Sequence, residues 1–297
     1  MKKHGSLFLL LSLCFAPLTL AGTVFKYQDA NGKWKFSDRP PVDKTAAETL
    51  EFAADLADTT TLPFKYYKDG AEYLAETTNP FYIAIEFKVE FDNPSIPTAT
   101  YTIPAREKFI FYRGAQKTPA FNYQYVWGVP KPKLDNSPYR IPVRSGSKQI
   151  ISQGFNGRFS HNKEPSVHAV DIAVQVGTDI VAARAGTVIL VQDNFVMGGV
   201  QAYFLDKANA VYIVHEDGSY ATYAHLLMGS ATVKVGQKVE EGELIGQSGS
   251  SGFSSGPHLH FVIRQNSGFN TTSIPFTFTR AEGTFTPTER ETLCPCD

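Results

Sequence analysis

From about residue 146 onward the chain never sustains a helical period. Runs of about five to eight residues rich in Val, Ile, Thr and Tyr alternate with Gly, Asp, Asn and Pro. Runs this short are stable only when paired edge to edge in a sheet, so the fold class is all-β. The Asp217-Gly218 pair between Val211-Tyr212-Ile213-Val214 and Tyr220-Ala221-Thr222-Tyr223 predicts a hairpin.

The upstream chain follows the same grammar. Asn31-Gly32 joins two short aromatic runs and predicts a β-hairpin segment within 22–45, a stretch resembling a small domain at the N-termini of bacterial envelope proteins. Residues 46–62, rich in Ala, Thr and Asp, read as a linker. Residues 63–145 carry aromatic runs at 81–89, 108–112 and 121–127 and read as a small antiparallel β-sandwich-like domain. Four prolines between Pro130 and Pro142 mark a boundary. A second β domain then spans 146–285, and 286–297 reads as a tail.

The N-terminus sets the compartment. Lys2 and Lys3 precede an apolar run from Leu7 to Phe15, followed by Thr19-Leu20-Ala21. This is the pattern of a secretory signal peptide, residues 1–21, removed after Ala21. The apolar run is too short to span a bilayer, so no stable membrane anchor is expected after cleavage. The expected location is periplasmic or secreted. Cleavage removes Cys14 and leaves Cys294 and Cys296, which make no disulfide framework. At 42% hydrophobic and 19% charged, with a formal net charge of −1, the chain is globular in type and lacks the basic field that nucleic acid requires.

All six histidines beyond the signal peptide fall between His161 and His260, the others being His168, His215, His225 and His258. Clustering of this kind suits a metal or acid–base site. In Gly256-Pro257-His258-Leu259-His260-Phe261 the two imidazoles share one strand face while Leu259 and Phe261 take the other. That arrangement suits one zinc ligand beside one catalytic base. Ala221, Tyr223 and His225 share a face on the second strand of the predicted hairpin, and His225 stands where the strand ends. His215, before the turn, reads as structural. Asp171 leads an apolar strand, where a charge must be paired or bound to metal.

These motifs resemble a known family. Asp171-Ile172-Ala173, Val176-Gly177-Thr178, Ala185-Gly186-Thr187-Val188, Tyr223-Ala224-His225-Leu226, Val235-Gly236-Gln237-Lys238-Val239, Gly242-Glu243-Leu244-Ile245-Gly246 and Gly256-Pro257-His258-Leu259-His260-Phe261 occur in the order of the lysostaphin-type (LytM-like) zinc endopeptidases of peptidoglycan. The resemblance covers about 150–265. It implies an antiparallel β catalytic domain with a groove and one zinc ion held by Asp171, His260 and an upstream histidine. It also implies that His225 and His258 activate water and stabilise the transition state. The upstream ligand is His161, matching the Phe-Ser-His stretch of some relatives, or His168. His168 lies three residues before Asp171, which in a regular strand puts it on the opposite face and favours His161.

The function implied is hydrolysis of amide bonds in peptidoglycan cross-links, with peptidoglycan as substrate and an envelope protein as a candidate regulator. Residues 22–145 would either target the enzyme or cover its groove until a partner displaces them. A wall-binding or amidase-activating relative without catalysis is the alternative, but such relatives lose zinc ligands, whereas Asp171, His225, His258 and His260 are all present. A phosphocarrier with paired histidines is disfavoured by the signal peptide and by Asp171.

Overall fold

The computed structural model describes residues 61–293 except Ser145, together with the strand backbone of three segments nearer the N-terminus. Those segments, β1 (Gly22–Gln28), β2 (Trp34–Ser37) and β3 (Glu48–Phe52), form an antiparallel sheet in the order β2-β1-β3. β1 and β2 pair antiparallel from Phe25↔Ser37 to Gln28↔Trp34, and the predicted Asn31-Gly32 turn lies outside the described residues. The linker reading of 46–62 differs from this structure at β3. Within it Thr49-Leu50-Glu51-Phe52 alternates polar and apolar, a period-2 signal hidden by its Ala- and Asp-rich surroundings. The predicted signal peptide, 1–21, and Cys294 and Cys296 lie outside the described residues. Among the described residues no helix is long and apolar enough to cross a membrane.

Residues 58–297 form a separate compact unit. It begins with β4 (Phe64–Asp69), β5 (Glu72–Thr78), β6 (Ile85–Phe91), β7 (Ala99–Ile103), β8 (Lys108–Gly114) and β9 (Phe121–Trp127). These make two three-stranded sheets, β4-β5-β8 and β7-β6-β9. Side chains from both sheets meet in one aromatic core: Phe64 lies edge-on to Tyr123 at 4.8 Å, and Phe87 to Phe111 at 5.7 Å. The β4–β5 connection passes through Gly70 at φ +58°, which favours glycine. Its Asp69-Gly70 pair is a hairpin signal in its own right, obscured by the charged residues around it.

The rest of the unit comprises β10 (Tyr139–Arg140), β11 (Val143–Arg144), β12 (Gln149–Gln153), β13 (Val170–Ala173), β14 (Asp179–Val181), β15 (Gly186–Gln192), β16 (Ala210–Val214), β17 (Tyr220–Ala224), β18 (Lys238–Val239), β19 (Leu244–Gln247), β20 (His258–Asn266), β21 (Thr271–Ser273), β22 (Phe278–Arg280), β23 (Gly283–Phe285) and β24 (Thr292–Leu293). The principal sheet runs β18-β15-β16-β17-β20-β13-β12-β24, with β21 added alongside β20. Every pairing within it is antiparallel. The chain is thus all-β.

Strand alternation gives this sheet two buried faces. Val211, Ile213, Tyr223, Leu259, Phe261 and Ile263 enter one core. Ile189, Tyr212, Val214 and Tyr220 face the other way and join the core of the sandwich. Trp127, at the end of β9, sits edge-on to Tyr212 at 6.1 Å and to Tyr220 at 6.2 Å. Beside it the buried Glu86 carboxylate accepts hydrogen bonds from Asn266 Nδ2 at 2.9 Å and from the Phe269 backbone at 2.7 Å. The sandwich is therefore joined to the sheet by apolar burial and by a buried polar contact.

Two boundaries differ from the sequence reading. Tyr139 and Ile141, placed with the sandwich, pack into the core of the principal sheet. The stretch read as a tail contains β24, which pairs with β12 and buries Leu293. A two-residue strand is too short to leave a periodic trace in sequence.

Candidate metal centre

The register of the central strands assembles the site. Asp171 on β13 stands opposite His260 on β20 and opposite Gln153 on β12. The long connection from β12 to β13 folds back and carries His161, which is fully buried. Its Nδ1–H donates to the Gly154 carbonyl at 3.0 Å, which leaves the Nε2 lone pair facing inward. His161 Nε2 lies 3.2 Å from Asp171 Oδ1 and 3.3 Å from His260 Nδ1, and His260 Nδ1 lies 2.9 Å from the same Asp171 oxygen.

Three donors converging on one point fit a zinc ion. Bonds of about 2.0–2.1 Å in tetrahedral geometry place neighbouring donors about 3.3 Å apart, close to the spacing here. The donor set of two imidazoles and one carboxylate is a zinc set, and three protein ligands leave a fourth position open. Burial opposes ionisation of Asp171, but its contacts with His161 and His260 and the nearby His258 outweigh it and hold the carboxyl well below its usual range.

Gln153 completes the surroundings and was not singled out from the sequence. Its Nε2 donates to Asp171 Oδ2 at 2.9 Å and to Ser160 Oγ at 2.7 Å. Its Oε1 accepts from the Phe159 and Ser160 backbone at 3.1 and 3.3 Å. One amide thus orients the carboxylate and pins the loop that carries His161. Nothing in the sequence marked it, because its role depends on the pairing of β12 with β13 at Asp171.

His225 and His258 lie beside this cluster, with ring centroids 4.5 Å apart. The face-sharing expected for Ala221, Tyr223 and His225 does not hold. Tyr223 is in the core, with its hydroxyl accepting the Ala183 N–H at 2.8 Å. β17 ends at Ala224, and His225 adopts φ +64°, a left-handed backbone that turns its ring off the core face. His225 Nδ1 then donates to the Ser251 carbonyl at 2.7 Å, and His258 Nδ1 to the Gly256 carbonyl at 2.8 Å. Burial, then the neighbouring His258 and His260, lowers the His225 pKa to about 3, so its imidazole is neutral.

The other two histidines stand apart. His168 turns to β21, with its backbone N–H on Ser273 Oγ at 2.9 Å and its ring edge-on to Phe155 at 5.4 Å. His215 is buried against Tyr139, with Nδ1 on the Ala185 carbonyl at 2.9 Å. The three-donor group is His161, Asp171 and His260.

The cluster opens into a cavity of about 490 Å³ whose walls include Phe159, Leu205, Tyr212, Phe253 and Arg264. Every wall residue falls between Ser152 and Arg264. Among the described residues the sandwich contributes none of them and packs beneath Tyr212 and Tyr220; residues 22–57, the rest of the stretch expected to target the enzyme or cover its groove, belong to the separate unit.

Fold and donors together describe a β domain with one three-donor group that could hold a metal ion. Residues 166–271 match the model of Peptidase family M23. Residues 11–59 match a domain of unknown function, DUF4124. His161 and Gln153 lie upstream of the matched M23 segment. Lysostaphin of Staphylococcus staphylolyticus is 34% identical over 129 residues, 41% of this chain and 25% of that protein. The peptidoglycan DD-endopeptidase ShyA of Vibrio cholerae is 34% identical over 127 residues, 42% of this chain and 26% of its own length. The match thus spans about a quarter of these curated relatives. Among solved structures, the catalytic domain of lysostaphin from Staphylococcus simulans aligns with 28% identity and a TM-score of 0.30, covering 41% of this chain and 81% of that one.

Proposed function

We propose that this chain is an exported zinc-dependent endopeptidase that hydrolyses amide bonds in the peptide cross-links of peptidoglycan. The observation that carries the reading is the convergence of His161, Asp171 and His260 at the floor of an open groove beside two further imidazoles. The M23 match and the peptidoglycan endopeptidases among its relatives supply the substrate class. The N-terminal sequence supplies the compartment, and an envelope protein remains the candidate regulator.

When bound, zinc supplies Lewis-acid polarisation and makes water a nucleophile near neutral pH. His161, Asp171 and His260 would hold it, and Gln153 fixes the Asp171 carboxylate. His225 and His258 each have Nδ1 tied to a backbone carbonyl, so Nε2 is the nitrogen available to the substrate. There they orient water, take up its proton and deliver it to the leaving amine. Protonated in that step, one imidazole also stabilises the developing oxyanion.

The test is muropeptide analysis of purified sacculi incubated with the mature chain, with and without a zinc chelator. Chelator-sensitive loss of cross-linked dimers is expected and identifies the bond cut. Unchanged cross-linking by zinc-loaded protein would overturn the proposal.

A further inference from the structure

The groove does not end at the metal cluster. β20 continues past His260, and alternation brings Arg264, four residues on, to the same sheet face as His258 and His260. At a rise of about 3.3 Å per residue this is about 13 Å along the strand, the span of three to four extended peptide residues. Arg264 lines the same cavity as the histidines. Among its described lining residues, Arg264 and Asp171 are the only ones outside the histidines that carry formal charge, and Asp171 is occupied by the cluster.

The guanidinium is held in place by neutral partners. Nε donates to the Pro165 carbonyl at 3.0 Å, Nη1 to Thr222 Oγ1 at 3.3 Å and Nη2 to Ser166 Oγ at 3.5 Å. The two Nη contacts are at the long limit for hydrogen bonds, and a guanidinium has five N–H groups to place. No ion pair among the described residues includes Arg264. Glu164, beside Pro165 in the chain, turns its carboxylate onto the Ser273 backbone and hydroxyl at 2.7 and 2.9 Å. Tyr220, opposite Arg264 on β17, is uncharged at neutral pH. The result is a partly buried cation with a fixed stem, an available fork of donors and no carboxylate of its own.

We propose that Arg264 is a specificity-determining residue that takes a free carboxylate of the substrate peptide as a two-point fork, three to four residues along the groove from the bond cut. Planar guanidinium donors match a carboxylate in a way that an ammonium does not. The groove thereby selects acidic stem peptides over amidated ones. This rests on the peptidoglycan reading, which it deepens.

The experiment is calorimetric binding to the full zinc-loaded chain. The probe is an uncross-linked stem tetrapeptide, which offers no cross-link to cut, compared with the same peptide bearing amidated carboxylates. The wild-type chain should bind the acid form at least about tenfold tighter than the amide. Arg264→Gln should bring the two affinities together, and Arg264→Lys, which keeps charge and stem, should give an intermediate ratio. Equal affinities in the wild type, no binding of either peptide, or a wild-type ratio in either variant would overturn the proposal. Failure of the parent reading is visible separately: sacculi digested without any acid preference sink only the Arg264 proposal, and an acid preference without digestion sinks only the endopeptidase.

Discussion

His225 and His258 face each other with ring centroids 4.5 Å apart, and each has its Nδ1 committed to a backbone carbonyl. Neither belongs to the three-donor group. Replacing either with Ala should therefore leave zinc content unchanged and reduce kcat by about 10²–10⁴. Zinc analysis and cleavage rates on the same preparation check this. Loss of zinc together with activity would place the replaced residue among the ligands.

The upstream ligand can be decided by a pair of variants. His161→Ala removes an inward-facing Nε2, and the protein should purify without stoichiometric zinc. His168→Ala removes a ring that packs on Phe155 and Ser273, and should retain zinc with at most a modest loss of stability. Metal stoichiometry of the two variants is the measurement. The opposite pattern would exchange their roles.

Gln153 is not among the lining residues of the cavity and acts through Asp171 and the His161 loop. Gln153→Leu should weaken zinc affinity by about 10- to 100-fold. Competition with a chromogenic chelator reads this directly, and saturating zinc should restore most activity. Wild-type affinity in the variant would show that the carboxylate is oriented without it.

His215 makes a prediction about acid. Burial lowers its pKa to about 4 from the ordinary 6.5, so between those values the unfolded chain binds more protons than the folded one. The associated stability is complete above about pH 6.5 and is lost as pH falls toward 4, to a total of about 3 kcal/mol. His215→Asn keeps a donor for the Ala185 carbonyl but cannot titrate. Urea unfolding between pH 7 and pH 4 should show a shallower decline for the variant than for the wild type. Parallel declines would remove His215 from the acid response.

Much of the site was legible because its chemistry is concentrated in short strand motifs. His258 and His260 fall on one face by alternation, and Asp171 is conspicuous as a charge in an apolar strand. What sequence hid depends on backbone departures and on register. The left-handed φ of His225 defeats the alternation that would bury it with Tyr223. The role of Gln153 exists only because β12 pairs with β13 at Asp171. Arg264 reads as an ordinary strand residue until the cavity is traced past His260. In the fold, the aromatic runs at β6, β8 and β9 were readable, whereas β3, β4, β5, β7 and β24 were too charged or too short to show a clear pattern.

The buried Glu86–Asn266 contact, with Trp127 set against Tyr212 and Tyr220, has a mechanical consequence. The sandwich and the groove cannot swivel independently without exposing apolar surface and stranding a carboxylate. Anything that grips the sandwich therefore aims the groove. Tethering and aiming become a single event, and under the proposed function the wall must be presented in the one orientation that the joint allows.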